Sequence, residues 1–389
     1  MNMIIRRLKE NEHGVLDAIQ SIAYGGANNV RESEKNPLKS EVWGAFDDDG
    51  ICMATVFTPE YKSWYFGKNV ACVGIGGVAT LPEYRRRGAV REIFSEIFRQ
   101  AAERDWAVSY LYPFSFDYYR QFGYEMVFKK YKMVFPMKAL AKFPRTTNVK
   151  LYSFKNPEMK KDILEVYNAF AQTRRTMFVR GENTRAYSDD PYASRSWTYV
   201  HYTGDTPDAL ATIRLEDDGL TIRELCYTSR DALCSMLGFL RAFDGQAFEL
   251  RFTDLPDTRD LDAVIGEYVD VEYYSEASGM ARIILLEKLL KNTAYPLEHG
   301  CFRLRCDDTL EWNRGVWDVH YGDGLIRVEK LPYDSEYDIS ASIQSLARLM
   351  LCGGYTAESA AYLPDVDVKN GDDFFRAFPD GRCYVLDRF

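Results

Sequence analysis

Two periods of apolar residues alternate over the first 146 positions. Stretches in which apolar residues recur every second position, or run together, fall at MNMIIRRL, 42–46, 51–58, 70–80, 108–112 and 131–137, and predict strands. The pair 42–46 and 51–58 reads as a hairpin around the turn Asp47-Asp48-Asp49-Gly50. Residues 13–23, with Val15, Ile19 and Ile22 on one face, and 88–104, with Ile93, Ile97 and Ala101 at four-residue spacing, predict amphipathic helices. A short helix is expected at 118–122, stopped by Gly123.

The polar stretch LAKFPRTTNVK, with Pro144, reads as a linker and puts a boundary near 146. Beyond it the pattern resumes, with helices at 158–171 and 230–243 and strands at 196–202, 209–215, 221–227 and 248–253. The order of strand, helix and strand echoes the first segment and suggests a diverged repeat. A third segment from 280 shows strands near 281–285, 301–306, 309–313, 315–321 and 325–330, then helices at 339–352 and 357–362. The chain therefore reads as α+β, divided into 1–146, 147–279 and 280–389, with a mostly antiparallel third sheet.

Composition narrows the class. The 389 residues are 46% hydrophobic, enough to fill several cores. The longest apolar run, 71–81, is broken by three glycines and falls short of the roughly 20 residues that a membrane span needs. The N-terminus has no apolar core of the kind that marks a cleaved signal, so a cytoplasmic protein with no membrane partner is expected. Eight scattered cysteines without a CxxC pair, and four histidines, give no metal-ligand spacing; reduced thiols and no metal are expected. Net charge is −9, which argues against nucleic-acid binding. It is unevenly spread, at +4 over 1–146, −8 over 147–279 and −5 over 280–389. That asymmetry suggests an anionic ligand for the first segment and a cationic one nearby.

The chemistry concentrates in GIGGVATLPEYRRRGAVREIF. A buried strand ends at Thr80, a basic loop follows, and a helix opens near Gly88. The first N–H groups of a helix have no partner inside it, and the helix dipole favours an anion there. Gly88 allows close backbone approach, and Arg85, Arg86, Arg87 and Arg91 add positive charge. The pattern fits a pyrophosphate cradle. It lacks the GKS/GKT of a P-loop and the GxGxxG of a dinucleotide fold, so ATP and NAD are poor candidates. The competing reading is a solvated run of charge.

Arg85-Arg86-Arg87-Gly88-Ala89-Val90 resembles the acetyl-CoA motif of the GNAT acetyltransferase superfamily, Gln/Arg-x-x-Gly-x-Gly/Ala, over its first four positions; Val90 stands where glycine or alanine is usual. Downstream, LYPFSFDYYRQFGYE resembles the superfamily's FYxxxGF segment, with Tyr119 at the tyrosine position. The pattern PFSxxxYRxFGYE, the chain length, the two further segments and the aromatic end CYVLDRF together resemble the "enhanced intracellular survival" family.

That resemblance implies an N-terminal GNAT fold, a degenerate second GNAT-like domain and a C-terminal domain like a sterol carrier protein. It implies backbone contacts to acetyl-CoA at Val78, Ala79 and Thr80, diphosphate contacts from Arg85 through Arg86, Arg87, Gly88, Ala89 and Val90 to Arg91, and passage of the pantetheine end by Phe114 and Ser115. It implies Tyr119 as general acid and the C-terminal carboxylate of Phe389 as general base, with the third domain delivering the chain end. The activity implied is acetyl transfer to a primary amine on a polyamine-like molecule, an aminoglycoside-like compound or lysine, by a homo-hexamer. The groups suit the chemistry: an α-carboxylate is ionised and a phenol protonated at neutral pH. Arg388 stands where an acidic residue would favour a cationic acceptor, and Asp387 beside it is the compensating candidate. The alternative is a module that binds acetyl-CoA or a lipid without turnover. For the helices after 339, a filled core is favoured over a lipid cavity.

Overall fold

The computed structural model describes residues 3–25, 40–184, 186–190, 193–216, 219–266 and 270–387. Two compact units emerge. One holds the chain up to Val127 and Gly279–Gly381; the other holds Phe128–Ser278 and the stretch from Arg382 to Asp387.

The first unit opens with β1 (Ile4–Arg7), α1 (His13–Tyr24), β2 (Ser40–Phe46), β3 (Cys52–Tyr65) and β4 (Lys68–Thr80). These strands pair antiparallel in sequence order. Helix α2 (Ala89–Glu103) then crosses to β5 (Val108–Leu111), which lies parallel to β4. The apolar stripe of α2, including Ile93, Ile97 and Ala101, is buried on the sheet with Trp43, Met53, Val56 and Val73. A short helix α3 (Phe116–Arg120) leads into β6 (Glu125–Pro136).

Strand β4 is irregular where it matters. Its pairing with β5 stops at Ile75, yet it runs on to Thr80. Its register with β3 jumps between Gly76 and Ala79, so Gly77 and Val78 form a bulge. Gly77 has φ of +52°, and a Cβ there would lie 2.2 Å from Gln20 Nε2 of α1. Gly77→Ala is expected to cost about 1–3 kcal/mol in a urea unfolding curve, from left-handed strain plus displacement of Gln20.

The second unit has β7 (Val149–Leu151), α4 (Met159–Gln172), β8 (Trp197–Thr203), β9 (Thr206–Leu215), β10 (Gly219–Tyr227), α5 (Arg230–Leu240), β11 (Glu249–Leu255) and α6 (Arg259–Ile265). Strands β7 to β10 are antiparallel neighbours, and β11 joins β10 in parallel after the α5 crossover. This is the order of β1 to β5 and α2 over again. Residues 131–136 of β6 pair with β11, and 280–283 of β12 (Glu272–Ile283) pair with β5. Each unit's sheet is thus closed by a strand that enters from the neighbouring stretch of chain. The linker-like stretch opens inside a 3₁₀ turn, Met137–Lys142, whose Met137 and Leu140 join Phe143, Leu233 and Leu237 in the second unit's core. The division between the two units falls at 127/128, inside β6.

Back in the first unit come α7 (Leu286–Asn292), β13 (Gly300–Asp307), β14 (Gly315–Gly322), β15 (Leu325–Leu331), β16 (Ile339–Ser342), α8 (Ile343–Ala347), α9 (Ala357–Ala360), β17 (Asp367–Val368) and α10 (Asp372–Ala377). They form a second sheet in the order β15-β14-β13-β16-β17, antiparallel except for β13 with β16. Two expectations are corrected here. Residues 309–313 are a turn, not a strand: Asp308 Oδ1 accepts from Leu310 N at 3.2 Å, and Asn313 N reaches Leu310 O at 2.9 Å. The start of the expected helix 339–352 is strand β16, because Ile339 and Ala341 alternate into the core; Ser342 then caps α8.

Arg282 of β12 and Asp308 form a fully buried ion pair, Nη2 to Oδ1 2.5 Å, and Asn313 Nδ2 donates to the other carboxylate oxygen at 2.9 Å. Among the described residues no helix is long and apolar enough to cross a membrane.

Candidate active site

The corner between β4 and α2 is built from local necessities. The turn Pro82–Tyr84 leads from Thr80 into the arginines. Tyr84 Oη donates to Asp47 Oδ2 at 3.0 Å, while Asp47 Oδ1 accepts from Asp49 N and Ile51 N at 3.1 and 2.8 Å. The acidic turn is therefore a turn, as expected, and it also ties down the basic loop. The hydrogen bond from Ile51 N leads the set of contacts that hold the Asp47 carboxyl below its usual range. Arg86 adopts φ of +65°, and Gly88 reaches +87° just ahead of α2. No side chain caps that helix. Among the described residues none of Arg85, Arg86, Arg87 or Arg91 is ion-paired. Arg87 lies over the Tyr84 ring at 5.1 Å, and Arg91 Nη2 donates to Gln121 Oε1 at 3.1 Å. Uncapped N–H groups and unneutralised guanidiniums at one helix start are an arrangement suited to an anion.

The corner opens into a cavity of about 880 Å³. Ten of the positions implied by the motif line it: Val78, Ala79, Thr80, Arg85, Arg86, Gly88, Ala89, Val90, Arg91 and Phe114. Two implied positions do not. Arg87 is turned onto Tyr84, and Ser115 Oγ accepts from Tyr118 N at 3.3 Å as the cap of α3. Val90 combines two roles, reaching the cavity while packed in the α2 core. Sequence reading missed Tyr24, Tyr84, Tyr118, Gln121 and Phe122 in the wall. Tyr24 Oη donates to Val78 O at 2.9 Å, so the last turn of α1 is fastened to the bulge of β4.

Tyr119 is buried at 3% exposure and is not in the cavity wall; its neighbour Tyr118 is. The Tyr119 ring packs among Phe114, Tyr118, Tyr124 and Phe94, with centroids 5.2–6.4 Å away. Burial pushes its pKa up. The remaining sequence candidates are elsewhere. Phe389 and Arg388 lie outside the described residues, as does 26–39 of the loop after Tyr24. Asp387 is not free to meet an acceptor: Arg180 Nε holds Oδ1 at 2.9 Å and Tyr167 Oη holds Oδ2 at 3.3 Å. The stretch from Arg382 to Asp387 groups with the second unit. Among the described residues no group of three or more His, Cys, Asp and Glu side chains is placed to hold a metal ion. None of the eight cysteines forms a disulfide.

Comparison with known proteins fits this geometry. Residues 4–127 match the model of the acetyltransferase (GNAT) domain, and residues 286–385 match that of the sterol carrier protein domain. The chain thus carries the domain of an acetyltransferase enzyme, followed later by a sterol-carrier-type domain. No curated protein matches it in sequence. Among solved structures, a protein from Enterococcus faecalis described as a probable N-acyltransferase superposes with a TM-score of 0.85 at 20% identity, over 100% of both chains. A GCN5-related N-acetyltransferase from Anabaena variabilis gives 0.82 at 18%, and Eis1 from Mycobacterium abscessus gives 0.77 at 17%, each again over 100% of both chains. At these identities the likeness is one of fold, and it extends over the whole chain.

Proposed function

We propose that the protein transfers an acetyl group from acetyl-CoA to a primary amine carried by a small polyamine, an aminoglycoside-like compound or a lysine side chain. The observation that carries this reading is the β4–α2 corner: unpaired arginines, an uncapped helix start and a bulged strand edge meet at one cavity. The residues fit the co-substrate. Arg85, Arg86 and Arg91 would hold its diphosphate with the first N–H groups of α2, where Gly88 has open space around its missing Cβ. Bound there, acetyl-CoA supplies an activated thioester.

The chain's own groups supply proton handling. Tyr119 keeps its proton because burial disfavours the phenolate, and it can release that proton to a departing thiolate. The terminal carboxylate of Phe389, with an unperturbed pKa of about 3.5, is the candidate acceptor for the amine proton. The negative charge of 147–279 favours a cationic acceptor by long-range attraction. The repeated strand order supports a degenerate GNAT-like second domain in a three-domain division. Hexameric assembly follows from the family resemblance alone, and light scattering tests it.

One observation favours the reading without turnover, namely that Tyr119 is absent from the cavity wall. Against lipid binding stand Ile343, Leu346, Leu349, Met350 and Leu351, all buried. The deciding experiment is incubation of the full chain with acetyl-CoA and a panel of amines, followed by thiol release and product mass. In parallel, Arg91→Ala is expected to weaken acetyl-CoA binding about tenfold, the loss of one charge-assisted hydrogen bond. The reading falls if no amine releases CoA and the arginine change leaves affinity intact.

A further inference from the structure

Helix α1 meets the bulge of β4 with two side chains. Gln20 and Tyr24 stand four positions apart, one turn along a single face of the helix. Tyr24 Oη donates to Val78 O at 2.9 Å, and Gln20 Nε2 donates to Gly77 O at 3.5 Å, a longer bond. They take the two successive carbonyls of the bulge, where Gly77 and Val78 together stand opposite Val56 of β3. A regular strand turns successive carbonyls to opposite edges; the left-handed Gly77, at φ of +52°, brings both within reach of one helix. Apolar packing seats the helix there. Ile19, only 2% exposed, shares a core cluster with Ala79, and Ala23 packs against the same cluster.

Burial does not force this arrangement. Tyr24 is 52% exposed, so water is at hand for its hydroxyl, yet the hydroxyl turns to the strand. The pairing of β4 with β5 ends at Ile75, so β5 gives the bulge no partner, and Val78, Ala79 and Thr80 line the cavity. A peptide unit is planar and trans, so its N–H points opposite to its carbonyl. Holding Gly77 O and Val78 O therefore fixes the directions of the Val78 and Ala79 N–H groups.

We propose that Gln20 and Tyr24 are positioning residues: from α1 they clamp the β4 bulge, so that its backbone keeps the one shape that acetyl transfer needs. This rests on the reading of the cavity as the acetyl-CoA site. Addition of an amine to a thioester puts negative charge on the carbonyl oxygen, and the charge leaves with the thiolate when the carbon–sulfur bond breaks. Backbone dipoles help that oxygen only if they are already in place, since turning a peptide during the reaction cancels the gain. Tyr24 is the stronger half of the clamp because its bond is the shorter. Removing its hydroxyl leaves the aromatic ring in the cavity wall.

Tyr24→Phe and Gln20→Ala in the full chain are the test. Amide hydrogen exchange over residues 76–80, read by mass spectrometry, quickens in both variants and more in Tyr24→Phe. In Tyr24→Phe kcat for amine acetylation falls about tenfold, less than the ~10²–10³-fold cost of deleting an oxyanion donor outright. KM for acetyl-CoA stays within about twofold, because the arginines at the start of α2 are untouched. The pH profile of kcat keeps the parent's shape, which separates a positioning role from the loss of a proton donor. Gln20→Ala shows the same pattern with a smaller fall. The clamp is overturned if exchange quickens while kcat holds, if kcat falls while the bulge stays protected, or if neither changes. A shifted pH profile overturns it in favour of a proton-handling Tyr24. A parent that releases no CoA with any amine fails the transferase reading itself, and the clamp's role in turnover falls with it.

Discussion

Tyr119→Phe is expected to lower kcat for amine acetylation by about 10²–10⁴-fold, the range of a positioned proton donor, with KM for acetyl-CoA nearly unchanged. The hydroxyl is the only atom removed. The ring that packs against Phe94 and Tyr124 remains, so stability should hold. Tyr118→Phe is the necessary partner experiment, because Tyr118 lines the cavity and Tyr119 does not. Two observations favour Tyr119. Its carbonyl accepts from Phe122 N at 3.0 Å and Tyr124 N at 3.4 Å, so its backbone is pinned within the turn. Its burial keeps the proton in place until a stronger base is generated beside it. Tyr118→Phe should then cost less than about tenfold, since uniform binding contacts contribute little to kcat. The reverse ranking, in thiol-release kinetics, would move the acid role to Tyr118. Equal and small effects would remove it from both.

The part of this site that was legible in the sequence was the part that is local. The run from Thr80 to Arg91 announces its conformation residue by residue, through a strand end, three arginines, a glycine that reaches φ of +87° and an amphipathic helix. Ile93, Ile97 and Ala101 are buried as their spacing required. What stayed hidden depended on partners distant in sequence. Tyr24 reaches Val78 across 54 positions, and nothing near Tyr24 signals it. The bulge at Gly77 shifts the register of β4 on β3, which the alternation of side chains alone does not show. Leu140 looks like linker because the core that takes it is assembled from α5 and β11, a hundred residues later. Asp387 read as the compensating charge beside Arg388 because its partner Arg180 stands 207 positions before it. Tyr118 and Tyr119 are adjacent and chemically alike, and only the turn geometry of α3 decides which one faces the cavity.

Asp308→Ala is expected to destabilise the first unit by about 3–5 kcal/mol, because it strands a wholly buried guanidinium. Arg282 already has Nε and Nη1 without hydrogen-bond partners, and Asp308 is the carboxylate that its Nη2 meets. Asp308 also accepts from Leu310 N and Asn313 Nδ2, so its loss unties the turn at 308–313 as well. Replacing both charges, Arg282→Met with Asp308→Leu, should recover most of the loss, since the penalty lies in the unpaired charge rather than in the absent bond. Urea unfolding of the three variants checks this, and near-additivity of the single changes would count against it. The consequence for the site follows from Gly123. A Cβ at Gly123 would sit 2.6 Å from Arg282 Cζ and Nε, so the guanidinium is pressed against the turn that closes behind Tyr119. Asp308, just past β13, therefore holds from the sterol-carrier-type domain the cation that supports the tyrosine turn of the acetyltransferase domain. The double variant, stable but with a thioether beneath Gly123, should turn over more slowly than the parent at saturating acetyl-CoA, because the turn loses its rigid planar support.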